Sequence, residues 1–365
     1  MIRYTISPER DVYFAVENKV EEMIVLSLKE TEEIAGEADR LCRWTEANAE
    51  ALRGGKITGV PPCEAYEIKL LQMGRNAVYR LNGPMNWYLK LPCNGKPQGI
   101  RGEINGFGYV RTLFRDEAAY FHPCAVRASL ESGYLLSAEV PGTQLNYELY
   151  RRIFHPLRRN FEALLPMFQH AGRLLALFHK NGTAVEAPPI RARLDEKLKR
   201  RFAKAKKLDT TGEQIADWFE KNGPFETDQT FVHANCTFRN VLVQEKTISL
   251  LDFETAGKGS RYNDLARMCS DLVLTRAAAA FPWKRANEAL SAFLTAYQSV
   301  FPVDAESLTR HTALYIFERY VQVYCVKKEK ESIAGIPLSK SKLKWLHKRL
   351  LENDSRAIFG DNVNF

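Results

Sequence analysis

Apolar residues recur along this chain in two different periods, and the change from one to the other divides it. Three short apolar or aromatic runs, at 67–73, 77–81 and 87–91, are separated by Gly74 and by Asn82-Gly83 and read as strands. Asn-Gly between two such runs predicts a hairpin, because both residues tolerate positive φ. A helix is predicted over 101–114, where Ile104, Phe107, Tyr109, Val110 and Phe114 make an apolar stripe. Two further strands, 125–129 and 133–140, precede Pro141-Gly142. From Phe161 the spacing turns helical: Leu164, Leu165, Phe168, Ala171, Leu174, Leu175 and Phe178 recur at intervals of mainly three and four until Asn181-Gly182 stops them. The runs 241–243 and 248–251 interrupt this half as a small hairpin. Helices resume after Asn263 and are predicted over 286–301, 305–327 and 340–353. Ahead of everything lie a short strand or helix at 23–28 and a helix at 37–52 that ends on Arg53-Gly54-Gly55.

These periods predict an α+β chain in three parts: an N-terminal extension, 1–58; a strand-rich part, 59–140; and a mainly helical part, 141–365. Composition narrows the class without choosing the chemistry. With 45% hydrophobic and 26% charged residues in 365, the chain is globular, and disordered or collagen-like readings are excluded. No stretch approaches the roughly 20 apolar residues of a membrane span, and the N-terminus lacks a signal-peptide core, so a soluble cytoplasmic protein is expected. The 7 cysteines are scattered without a Cys-x-x-Cys pair, against both a disulfide framework and a zinc ribbon. The net charge of +8 suits an anionic partner but identifies none. Much of it falls on 191–207, where Leu194, Leu198 and Phe202 at four-residue spacing predict an amphipathic helix with a solvated basic face. Aromatic residues are spread through the chain rather than gathered into a stacking platform, so nucleic acid is not the expected partner.

Candidate chemistry concentrates in FVHANCTFRNVLVQEKTISLLDFETAGKGSRYND, residues 231–264, which sets His233, Asn235, Asn240 and Asp252 on loops flanking the hairpin. An Asn240 carbonyl and an Asp252 carboxylate are hard oxygen ligands suited to Mg²⁺, which takes one or two protein oxygens beside waters and substrate phosphates. The 7 histidines show no HExxH spacing that would suggest zinc instead.

This segment resembles the catalytic and metal-binding loops of the aminoglycoside phosphotransferase and choline kinase superfamily. The family pattern is His-Gly-Asp, four residues, Asn, a hairpin, Asp-Phe or Asp-Trp, then Tyr-Asp-Leu-Ala. Here it stands as His233-Ala234-Asn235, Asn240, Asp252-Phe253-Glu254 and Tyr262-Asn263-Asp264-Leu265-Ala266. The resemblance extends over roughly 65–330. It implies a two-lobed protein-kinase-like fold, with a small antiparallel-sheet N-lobe and a larger, mainly helical C-lobe. It implies nucleotide contacts from Gly74 and Asn76 in a phosphate-covering turn, from Lys90, and from Glu103 as the ion-pair partner of Lys90. Residues 135–142 correspond to the connector that meets adenine. The implied cofactors are ATP, or another nucleoside triphosphate, and Mg²⁺ on Asn240 and Asp252; the implied partner is a small molecule with a hydroxyl acceptor.

One departure is chemical. Asn235 stands where the family carries its catalytic aspartate, and a neutral amide can orient a hydroxyl but cannot take its proton. General-base assistance is worth about 10²- to 10⁴-fold, so two functions stay open: a kinase slowed at this step, and a catalytically silent nucleotide-binding or scaffold protein.

Overall fold

A computed structural model of the chain describes residues 2–6, 12–16, 23–26, 32–57, 66–115, 117, 120–123, 126–153, 157–207, 209–222, 229–244, 247–276, 283–322, 332–333 and 336–359. It divides into two units, Met1–Pro141 with Asp252–Ala256, and Gly142–Leu251 with Gly257–Phe365.

In the first unit, strands β1 (Ile2–Ile6), β2 (Val12–Val16) and β3 (Met23–Leu26) pair antiparallel in that order. Helix α1 (Glu32–Arg53) follows, then β4 (Glu67–Met73), β5 (Asn76–Asn82), β6 (Trp87–Pro92), α2 (Gln98–Leu113), β7 (Val126–Ser129) and β8 (Tyr134–Ala138). The five later strands form one antiparallel sheet in the order β4-β5-β6-β8-β7. Alternation explains its buried face: Ala77, Tyr79 and Leu81 on β5 and Trp87, Leu89 and Leu91 on β6 are fully buried. Helix α1 covers that face, adding Ala38, Leu41, Trp44 and Leu52 to the same core. Polar links fix it: Tyr79 donates its hydroxyl to the Leu52 carbonyl at 2.6 Å, and the Trp87 indole donates to Glu37 at 3.1 Å. The helix ends where expected, with Gly55 at φ 75° and the Lys56 amide returning to the Ala51 carbonyl at 2.9 Å.

The β5–β6 hairpin forms, but for another reason than the one its Asn-Gly suggests. Neither Asn82 nor Gly83 has positive φ. Gly83 is needed because a Cβ there would overlap the Tyr66 ring.

The second unit runs β9 (Thr143–Gln144), α3 (Leu145–Ile153), α4 (Arg158–Glu162), α5 (Leu165–Asn181), α6 (Arg191–Ala205), α7 (Thr210–Asn222), β10 (Gln229–Val232), β11 (Val241–Gln244), β12 (Thr247–Leu250), β13 (Gly257–Ser260), α8 (Tyr262–Thr275), α9 (Trp283–Gln298), α10 (Ala305–Val321) and α11 (Lys340–Leu351). Helices α5 and α9 are in close contact, and a Cβ at Gly172 would strike the Phe293 carbonyl. Phe238 is buried edge-on against Phe168 at 5.3 Å. The hairpin β11–β12 is in the predicted place, with Val241 opposite Leu250, and β9 adds to its outer edge. The helix expected over 305–327 is assigned as far as Val321, and 323–331 lie outside the described residues.

Strands β10 and β13, which pair antiparallel, are not foreseen by the pattern. The glycines of Gly257-Lys258-Gly259 serve close packing: a Cβ at Gly257 would lie 2.6 Å from the Pro188 carbonyl, and one at Gly259 2.7 Å from Ile190. The basic helix α6 also differs from expectation. Leu198 and Phe202 are buried as predicted, but Lys197 and Arg201 turn to Glu318 on α10 instead of remaining simply solvated.

Candidate active site

In the first unit, pairing of β6 between β5 and β8 sets Lys90 opposite Val78 and Leu135. Its ammonium meets Glu103 of α2 at 2.5 Å, Asp252 at 2.7 Å and Glu254 at 3.3 Å. Burial alone would lower the Lys90 pKa, but the three carboxylates outweigh it and hold the lysine above its ordinary value, fully charged. Glu103 is the deepest acid, with 3% of its side chain exposed, and it also accepts the Phe253 amide at 2.9 Å. Asp252 is the most open at 36% and occupies a left-handed conformation, φ 66°, which its short polar side chain tolerates.

The Asp252–Glu254 segment comes this close to α2 because the helix face beneath it is bare. A Cβ on Gly102 would lie 2.6 Å from the Glu254 carbonyl, one on Gly99 2.7 Å from the Glu254 side chain, and one on Gly106 would overlap Phe253. Phe107 completes the contact edge-on to Phe253 at 5.5 Å. At the β4–β5 turn, Gly74 has open space where a Cβ would project. Asn76 is buried and donates to Glu254 at 2.8 Å, and Arg75 pairs with the same carboxylate at 2.8 Å.

In the second unit, the loop after β10 is held by backbone rather than by charge pairs. The buried Asp264 carboxylate accepts the His233 amide at 2.7 Å and the Ala234 amide at 2.8 Å. His179, at the end of α5, reaches Asp264 at 3.2 Å and Tyr297 at 2.8 Å. Burial lowers the His179 pKa, and a neutral ring meets both partners by donating from Nε2 and accepting at Nδ1. Burial would raise Asp264, but its bonds from His179 and the His233 amide prevail and hold it below its ordinary range. His233 donates from Nε2 to the Leu251 carbonyl at 2.7 Å. Both histidines therefore buttress the loop.

Ala234, where the family pattern has glycine, sits at φ 60°. Asn240 donates its side-chain amide to the Asn235 carbonyl at 2.9 Å, so the atom it can offer a cation is the carbonyl Oδ1. The structure thus gathers Asn76, Lys90, Glu103 and Asp252 in the first unit and Asn235 with Asn240 in the second. Gly74 stands at the adjoining turn without a side chain. Asp228, another acid of this region, lies outside the described residues.

Sequence reasoning does not single out Glu254, which shares Lys90, Asn76 and Arg75, nor the glycines of α2. The signal was present: Gly99, Gly102 and Gly106 fall on one helical face, where each would cost about 1 kcal/mol relative to alanine without a packing reason.

The model of the phosphotransferase enzyme family (APH) matches residues 73–305. Among solved structures, the chain is similar to an amicoumacin kinase in complex with AMP-PNP, Ca²⁺ and Ami, at 14% identity and a TM-score of 0.51, over 88% of this chain and 95% of that one. An aminoglycoside-3'-phosphotransferase of type VIII is similar at 21% identity and 0.49, covering 75% and 98%. A choline/ethanolamine kinase family protein from Mesorhizobium loti follows at 12% and 0.45, covering 87% and 99%. No curated protein sequence matches. The fold is of the kinase-like class, an antiparallel-sheet unit with a mainly helical one, and no helix among the described residues is long and apolar enough to cross a membrane.

Proposed function

Because the chain belongs to the phosphotransferase enzyme family, we propose that it transfers the terminal phosphoryl group of ATP, or of another nucleoside triphosphate, to a hydroxyl of a small molecule, with Mg²⁺ as its metal. The observation that carries this reading is the Lys90 ammonium, kept charged among Glu103, Asp252 and Glu254. Lysine is retained there as a donor to phosphate oxygens. Glu103, anchored by the Phe253 amide, fixes its direction.

The donors fit the proposed metal. Among the described residues no group of three or more His, Cys, Asp or Glu could hold an ion by itself. Mg²⁺ needs only one or two protein oxygens beside waters and substrate phosphates. Of the donors that the sequence resemblance implies, Asp252 offers an open carboxylate in the first unit and Asn240 offers its Oδ1 in the second. Bound there, Mg²⁺ would neutralise charge developing on the β- and γ-phosphate oxygens. The turn at Gly74, which no side chain fills, leaves room for backbone N–H groups to approach phosphate. Asn235 can orient the acceptor hydroxyl by hydrogen bonding, and its amide cannot accept the proton.

Asn235 with Ala234 also supports a second reading, a nucleotide-binding protein that does not turn over. Both readings require Mg·ATP to raise the unfolding midpoint of the full chain, and Lys90→Met to abolish that rise. No shift and no heat of binding in calorimetry would remove both. ADP formation that depends on an added hydroxyl compound distinguishes the first from the second.

A further inference from the structure

The turn between β4 and β5 carries a charged side chain that the proposed function leaves unused. Arg75 lies between Gly74 and Asn76, and its Nη2 meets one oxygen of Glu254 at 2.8 Å. The other oxygen of that carboxylate accepts the Asn76 side-chain amide at 2.8 Å and meets the Lys90 ammonium at 3.3 Å. One carboxylate therefore joins two cations of the first unit, Arg75 on the turn and Lys90 on β6. The backbone of the turn is tied down as well, because the Arg75 carbonyl accepts the Cys93 amide at 3.0 Å, just past the end of β6.

As a stabilising ion pair, Arg75 with Glu254 contributes little. The Arg75 side chain is 69% exposed, and an exposed pair gains little in water while it restricts a long side chain. Its geometry suits a ligand better. Glu254, at 11% exposure, is fixed by the buried Asn76 and by Lys90, so it can aim a guanidinium without moving itself. The contact with Glu254 engages one N–H of a planar fork that carries five, and that fork matches phosphate oxygens. A side chain aimed before the ligand arrives loses less freedom on binding.

We propose that Arg75 is a second phosphate ligand of the nucleotide, positioned by Glu254, and that together with Lys90 it makes the site favour longer phosphate chains. Two cations tied to one carboxylate can hold different phosphates of a chain, whereas a monophosphate presents a single group to both. This rests on the phosphotransferase reading, which takes Lys90 as a donor to phosphate oxygens.

The test titrates AMP, ADP and AMP-PNP into the full chain by calorimetry at one Mg²⁺ concentration. The corresponding guanine series replaces them if the parent binds no adenine nucleotide. Arg75→Gln should weaken AMP-PNP about tenfold, as expected for one lost charge-assisted contact, ADP by less, and AMP by under about twofold. Arg75→Lys, which keeps the charge without the fork, should recover part of the loss. Arg43→Gln, exposed on α1, should change none of the three. Because Arg75 is exposed, its variants should fold as the parent does. In a Glu254→Gln background the loss caused by Arg75→Gln should shrink, since the guanidinium is no longer aimed; an undiminished loss would overturn the role given to Glu254. A structural support of the turn would weaken all three nucleotides alike. Equal losses along the series, or no loss for AMP-PNP while the parent binds it, would overturn this inference and leave the phosphotransferase reading standing. If neither series binds the parent at all, that reading falls and takes the phosphate role of Arg75 with it.

Discussion

The two units hold their candidate site residues by opposite means. In the first, charge meets charge: Lys90 is surrounded by Glu103, Asp252 and Glu254. In the second, the loop is fixed through its backbone, since Asp264 accepts the amides of His233 and Ala234 next to the neutral Asn235. A loop fixed through its backbone keeps its form whatever side chain it displays. A cluster fixed through side chains cannot lose one member without exposing the others to an unpaired buried charge. A neutral Asn235 therefore costs the loop little, whereas neutralising Lys90 would leave Glu103, Asp252 and Glu254 facing one another and lower stability without removing the fold.

The sharpest challenge to that contrast is to place a carboxylate at position 235, where the proposed function has a base. Asn235→Asp should raise ADP release in the presence of acceptor by about 10²- to 10⁴-fold, the usual contribution of a general base. Nucleotide affinity should hardly move, because Lys90 and its carboxylates are untouched. If the variant equals the parent in turnover, proton removal does not limit the reaction and the contrast loses its functional meaning.

Next in size is the clip itself. Asp264→Ala leaves two backbone amides and His179 without their buried acceptor and should cost about 3–5 kcal/mol of stability, read from denaturant unfolding. Its pH dependence has a defined sign. The Asp264 pKa is depressed in the folded state, so its contribution is complete above the unfolded value of about 3.9 and is lost as pH falls through the folded one. The difference between Asp264→Ala and parent should thus be constant near neutrality and shrink in strong acid. A constant difference down to the acid transition would mean that the carboxylate charge is not what holds the loop.

How much of this was legible depended on whether a residue's role is local. The sheet strands, α5 and the β11–β12 hairpin follow from period alone, because burial on one face imposes it. Lys90, Glu103 and Asp252 could be named through linked motifs, though their 2.5 and 2.7 Å contacts join positions 13 and 162 residues apart, which no period encodes. Helix α1 was visible as a helix but not as the cover of the sheet, since its apolar face does not declare a partner. Strands β10 and β13 were missed because Gly257 and Gly259, which normally mark turns, are there to admit Pro188 and Ile190. Lys197 and Arg201 looked solvated because their carboxylate, Glu318, is more than a hundred residues away.

The bare face of α2 gives a smaller test of the first unit. Gly106→Ala would drive a methyl group into Phe253 and should cost about 1–3 kcal/mol by overpacking, although alanine gains about 1 kcal/mol in helix propensity. Gly36→Ala in α1, where the nearest atom to the new Cβ is 3.8 Å away, should show the gain alone. Mg·ATP affinity should fall with Gly106→Ala and not with Gly36→Ala, because only the former displaces Asp252 and Glu254. Equal effects from both would show that the glycines of α2 have no positional role.

The smallest expected effect addresses the shape of the second unit. Ala234 holds φ 60°, a conformation that costs an L-residue with a Cβ roughly 1–2 kcal/mol. Glycine removes that cost but loses more entropy on folding, by about 0.4–1 kcal/mol, so Ala234→Gly should stabilise the chain by about 1 kcal/mol or less. The comparison is informative in the Asp264→Ala background. If Asp264 is what enforces the turn, removing it lets Ala234 relax, and the gain from glycine should shrink in the double variant. If the gain is the same in both backgrounds, the left-handed turn is imposed by β10 and the residues after it, and Asp264 only satisfies amides already in place.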